Sequence, residues 1–192
     1  MKKTLAWLLT FPVLLTACGA GNGAGQNIQQ QYAAVATAEM EATVVAHMTE
    51  ENREFTLQCT YDAENGATTT ILSPEDLKGV SASITADGLK VTYNGTALSA
   101  GDLEEVCPAN CLPWLLESLA NGYLCSEGTE DMADHACHRL ALETAATDGT
   151  KILCTAWLDQ ETLLPLYAEF AANENTILTV TMQSFSCTTK EE

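Results

Sequence analysis

The sequence predicts an α+β domain, a curved antiparallel sheet of about ten strands whose concave face is covered by two short helices. Three observations predict it. Most of the chain alternates apolar and polar residues at period two, tight-turn dipeptides separate several of the alternating runs, and only two short stretches carry a helical stripe. A sheet of so many strands tends to curl, and a curled sheet needs filling.

The elements follow in order. Residues 28–37 place Ile28, Tyr32, Val35 and Ala36 on one stripe with glutamines elsewhere, the pattern of a short amphipathic helix. From Ala38 the period changes to two. Ala38, Met40, Ala42, Val44, Ala46 and Met48 form one face of a strand, and Phe55, Leu57, Cys59 and Tyr61 form one face of the next. Asn65-Gly66 predicts a type I′ hairpin turn, with residues 67–72 as the return strand. Ser73-Pro74-Glu75-Asp76 reads as a turn. Val80, Ala82, Ile84 and Ala86 lead to a hairpin at Asp87-Gly88, and Leu89, Val91 and Tyr93 carry a strand to Asn94-Gly95.

Pro113 would break a single long helix over residues 102–120. The reading is therefore a helical turn at 102–106 and a second helix with Pro113 in its favoured first position. Leu112, Leu115, Leu116 and Leu119 make its buried stripe, and Asn121-Gly122 ends it. Strands resume at residues 122–127, 135–144, 151–159, 165–172 and 176–187, with Asp148-Gly149 as one hairpin.

The N-terminus reads as an export signal. Lys2 and Lys3 precede an apolar run from Leu5 to Leu15 that is shorter than the roughly 20 residues a transmembrane helix needs. Leu15-Thr16-Ala17-Cys18 resembles a bacterial lipobox. That resemblance implies cleavage after residue 17, lipid on Cys18 and residence at the extracytoplasmic face of the cell membrane. Residues 18–27 then form a lipidated cysteine and a glycine-rich tether, and residues 28–192 the folded domain. Removing 17 of the 192 residues leaves 175, enough for one domain with a real core. Lys2 and Lys3 leave with the signal, so the formal charge passes from −18 to −20. Such a balance has no basic patch for phosphates and excludes nucleic acid as a partner, whereas a basic protein partner suits it.

Apart from Cys18, seven cysteines are expected in an oxidising compartment, where disulfides form. Seven is odd, so one stays free or pairs with another chain, and the same residues also suit buried thiols. Cys107-Pro108-Ala109-Asn110-Cys111 reads as a small disulfide loop, or as two cysteines bonded elsewhere, such as to Cys125 and Cys137. His135-Ala136-Cys137-His138 invites a metal, but on a strand His138 points away from His135 and Cys137, so no metal site is assigned. No nucleophile elbow, phosphate loop or zinc-helix motif is present, and no catalytic residue or cofactor is assigned. Trp114 and Trp157 read as packing residues.

Several inward positions are alanine (Ala38, Ala42, Ala46, Ala82 and Ala86), and two helices of about 15 Å cover only part of a wide sheet. Either the concavity closes upon itself or it accepts an apolar ligand. Met40, Val44, Met48, Phe55, Leu57, Ile84, Leu115, Leu116 and Leu119 are the residues expected to line it.

Three segments then carry a resemblance over most of the chain. Residues 86–95 (Ala-Asp-Gly-Leu-Lys-Val-Thr-Tyr-Asn-Gly), residues 157–166 (Trp-Leu-Asp-Gln-Glu-Thr-Leu-Leu-Pro-Leu) and residues 179–185 (Thr-Val-Thr-Met-Gln-Ser-Phe) are similar to a central hairpin, a strand-turn-strand and a closing strand of the LolA-like family. This family includes periplasmic lipoprotein carriers, the mycobacterial LppX/LprG lipoproteins and the GerS-type lipoproteins of spore formers. The resemblance implies an open half-barrel of eleven or so strands, with helices in its mouth and acyl chains of a lipid or lipoprotein bound between them. It equally admits a GerS-type module for protein interaction, in germination or envelope signalling, that carries no lipid. Neither reading is an enzyme.

Overall fold

The computed structural model describes residues 23–48, 51–86, 88–101, 105–132, 134–146 and 148–190. Cys18 and its preceding signal, Asp87 and residues 102–104 of the expected helical turn lie outside the described residues. The chain runs α1 (Ala24–Ala33), β1 (Val35–Ala46), β2 (Arg53–Asp62), β3 (Gly66–Ser73), β4 (Ser81–Thr85), β5 (Gly88–Tyr93) and β6 (Thr96–Gly101). It continues with α2 (Cys111–Asn121), β7 (Tyr123–Met132), β8 (His135–Ala145), β9 (Lys151–Asp159), β10 (Pro165–Ala172) and β11 (Asn175–Thr189).

All eleven strands form one antiparallel sheet in the order β6-β5-β4-β3-β2-β1-β11-β10-β9-β8-β7. Two meanders therefore meet at the β1–β11 pair in the middle, and β6 and β7 end the sheet without pairing to each other. The architecture is an unclosed, curved half-barrel. The connection from β6 to β7 must pass from one end of the sheet to the other, and it carries α2 on the way.

The strand predicted for Ala38 onward is β1, which starts at Val35 and buries Ala38, Met40, Ala42, Val44 and Ala46. Its partner β2 buries Phe55, Leu57 and Cys59, in register opposite Val44, Ala42 and Met40. Helices α1 and α2 supply Ile28, Tyr32, Leu112, Leu115 and Leu119 to the same core as β9, β10 and β11. Ala38, Ala42 and Ala46 of β1 belong to this core, whereas Ala82 of β4 is buried outside it.

Five details differ from the sequence reading. Helix α1 begins at Ala24, so residues 24–27 are helix rather than tether, and it ends at Ala33, where β1 takes over Val35 and Ala36. An acidic side chain explains the early start: Glu127 of β7 accepts a hydrogen bond from the Gly25 amide at 2.5 Å, at the positive end of the helix dipole. Pro113 is the third helical residue rather than the first, with Asn110 as N-cap; the third position also lacks an intrahelical N–H partner, so proline is harmless there. The Asn65-Gly66 turn is not type I′. Residues 63–65 form a three-residue loop in which Asp62 Oδ1 accepts from the Glu64 and Asn65 amides, and Gly66 alone takes positive φ, +95°. An eleventh strand, β6, returns from Asn94-Gly95; both residues have positive φ, which makes that turn the type I′ one. Ala86, expected to face inward, is exposed just beyond β4.

Candidate functional site

Helix α2 has two stripes. Leu112, Leu115, Leu116 and Leu119 face the core, while Trp114, Glu117 and Asn121, spaced at three, four and seven, fall on another face. That second stripe borders an open groove of about 550 Å³. Tyr61, Ala67 and Ile84 from β2, β3 and β4 form one wall, and Glu143, Thr144 and Ala145 from the end of β8 form the other. Asn110, Pro113 and the Trp114–Glu117–Asn121 stripe complete it. Its size falls within the range of small-molecule sites.

The groove is held in shape by specific bonds. Trp114 Nε1 donates to Thr144 Oγ1 at 2.9 Å, which ties α2 to the end of β8. Buried Asn110 braces the approach to the helix: its Oδ1 accepts from the Cys107 amide at 2.7 Å, and its Nδ2 donates to the Glu105 carbonyl at 2.9 Å. Glu117 accepts from Asn121 Nδ2 at 3.0 Å, and Glu143 pairs with Lys151 Nζ at 2.8 Å. The phenol of Tyr61 is pushed above its ordinary value by burial, then by the negative field of Glu117 and Asp62. No lining residue is basic.

Of the nine residues expected to line a cavity, Met40, Val44, Phe55, Leu57, Leu115, Leu116 and Leu119 are buried in the packed core. Ile84 is half-buried and lines the groove. Met48, 53 % exposed, lies beside Glu51, Arg53 and Asp76 at a separate, largely polar depression. The groove residues Tyr61, Trp114, Glu117 and Glu143 were not anticipated. One signal was available, an aromatic residue and an acid three apart on α2 and off its leucine stripe. The pairing of that stripe with β8 was not legible, since the two are joined only through the fold.

The seven cysteines of the described residues are free, which corrects the expectation of disulfides. Cys59, Cys111 and Cys154 are fully buried and behave as small apolar groups. Burial raises all three thiols, Cys59 to about 11 and Cys154 to about 12. His135 Nδ1 lies 3.6 Å from Asp159 Oδ2, a contact between an exposed histidine and a half-buried carboxylate at strand ends. Among the described residues no cluster of three or more histidine, cysteine or acidic side chains could hold a metal ion. No helix among them is long and apolar enough to cross a membrane.

No family model matches the chain, and no curated protein does. Solved structures match its fold. A DUF1329 family protein from Desulfovibrio piger superposes with a TM-score of 0.52 at 10 % identity, covering 85 % of this chain and 92 % of that one. A LolA superfamily protein from Nitrosomonas europaea gives 0.47 at 11 % identity, with 87 % and 94 % covered. The lipoprotein LppX of Mycobacterium tuberculosis gives 0.39 at 11 % identity, with 82 % and 91 % covered. The chain shares its fold with the Desulfovibrio piger protein; here that fold is an open eleven-stranded antiparallel sheet holding two helices.

Proposed function

We propose that this chain is a lipoprotein anchored through Cys18 at the extracytoplasmic face of the membrane, where it binds the apolar part of a lipid or related amphiphile without catalysing a reaction. The observation that carries the reading is the open groove along α2, lined by half-buried Tyr61, Ile84, Pro113 and Trp114 over buried Ala67. The lipobox-like Leu15-Thr16-Ala17-Cys18 supports the anchor. Two acyl chains on the N-terminus give stable attachment, which the acidic domain itself cannot provide against anionic lipid. Hydrophobic transfer would supply affinity at about 0.8 kcal/mol for each methylene buried.

The test is mild extraction followed by native mass spectrometry, together with uptake of a neutral fluorescent long-chain probe. Wild type should carry or take up one ligand, and Ile84→Asp should lose it. Protein found only at its own lipidated mass, with no probe uptake, would overturn the reading. A second reading rests on the packed interior: Ile28, Leu112, Leu115 and Leu119 occupy the space that a cargo would need inside the half-barrel. On this reading the filled domain would itself be the docking module for a protein partner, as a GerS-type lipoprotein. In-cell crosslinking that captures one stoichiometric protein, from a chain that takes up no probe, would select it.

A further inference from the structure

Resting on the ligand-groove reading, we infer that the groove selects an amphiphile whose head is an alkylammonium cation. The groove joins two kinds of wall. Ala67, Ile84 and Pro113 offer apolar contact for a tail, while two aromatic rings, Tyr61 and Trp114, stand with two carboxylates, Glu117 and Glu143. Aromatic faces attract cations through the ring quadrupole, and quaternary ammonium groups are recognised in this way. Carboxylates beside the rings add a directional charge; no basic residue is part of the lining, and Lys151 pairs with Glu143 from outside it. A fatty acid or a phosphate ester would bring its own negative charge against Glu117 and Glu143. An alkylammonium head would complement both.

The neighbouring charges fit this assignment. Glu117 spends one oxygen on the neutral Asn121 amide, so its charge is not neutralised there. The exposed Lys151 holds Glu143 from outside the lining. Lys190 and Glu117 both line an adjoining small depression with Tyr61 and Asn121. Lys151 is thus a built-in competitor for one carboxylate, and its removal should strengthen binding of a cation.

The experiment titrates the purified full chain with octyltrimethylammonium, octyl sulfate and octanol, all kept monomeric, and with tetramethylammonium alone. The readouts are calorimetry and the NMR signal of the Trp114 indole N–H, the group bonded to Thr144. Octyltrimethylammonium should bind at one site and shift that signal, with octyl sulfate at least tenfold weaker. Glu117→Gln with Glu143→Gln should remove the ammonium preference by about threefold to fivefold for each carboxylate at low salt, and leave octanol unaffected. Lys151→Ala should tighten the ammonium about twofold to fivefold. Tetramethylammonium at least tenfold weaker than its octyl form supports an amphiphile; equal affinity would overturn the tail in favour of a free small cation. Equal binding of all three octyl probes, or a preference untouched by the double substitution, overturns the head-group inference while leaving the groove as a ligand site. No shift of the Trp114 signal with any probe refutes the groove reading itself.

Discussion

Leu119→Ala tests whether α2 is an integral part of the core or a loosely seated cover. Leu119 is completely buried on the inner stripe of α2, in one cluster with residues of the central strands. The substitution removes three carbons, or about 2.4 kcal/mol of transfer free energy at about 0.8 kcal/mol each. A cavity term is added because the strands around it cannot collapse freely, so the expected loss is about 3–5 kcal/mol. Glu117→Ala, on the exposed side of the same helix, should change stability by no more than about 0.5 kcal/mol. Urea unfolding followed by circular dichroism measures both. With a slope near 2 kcal/mol/M, Leu119→Ala should lower the midpoint by about 1.5–2.5 M and leave the slope unchanged. A loss below about 1 kcal/mol would refute the packing argument and reopen the interior as a cargo space.

Three further expectations are independent of that one. Glu127→Gln keeps the shape of the α1 cap but removes its charge, and should cost about 0.5–1 kcal/mol in thermal or urea unfolding; an unchanged midpoint would separate Glu127 from the early start of α1. Asp159 accepts from the Thr162 amide and hydroxyl and the Glu161 amide, and the Thr162 bonds are foremost in holding its carboxyl below the ordinary carboxylate value. A depressed folded-state value means that its contribution is complete above the unfolded value, near pH 4, and is lost as pH falls through the folded one. Asp159→Asn, which can still accept those bonds, should therefore flatten the acid limb of a stability–pH profile, and a limb of unchanged steepness would exclude this carboxylate as a contributor. In thiol labelling of the native protein, exposed Cys125 and Cys187 should react quickly, whereas Cys59, Cys111 and Cys154 should react only in denaturant. Rapid labelling of the buried three would contradict the core described above.

Local patterns read well because their cause is local. Lys151–Asp159 and Pro165–Ala172 were legible to the residue, since Asp159 and Thr162 close the turn between them by bonds within four residues. The errors fall where a distant group intervenes. Nothing near Ala24 in the chain predicts a helix start there; the carboxylate that accepts the Gly25 amide is 102 residues away on β7. Strand β6 was missed because Thr96–Gly101 (Thr-Ala-Leu-Ser-Ala-Gly) is a short run of mostly small residues that becomes a strand only by pairing with β5.

By itself, the sequence determined the period-two strands, the leucine stripe of α2, the acidic character and the lipobox-like Leu15-Thr16-Ala17-Cys18, because spacing and residue chemistry express those directly. Only the tertiary structure decided whether the half-barrel was hollow. The same leucines and methionines can line a void or fill one, and the choice depends on how closely two helices approach alanine-bearing strands. It also decided that the open space lies on the other side of α2, where Trp114 meets Thr144 from thirty residues away.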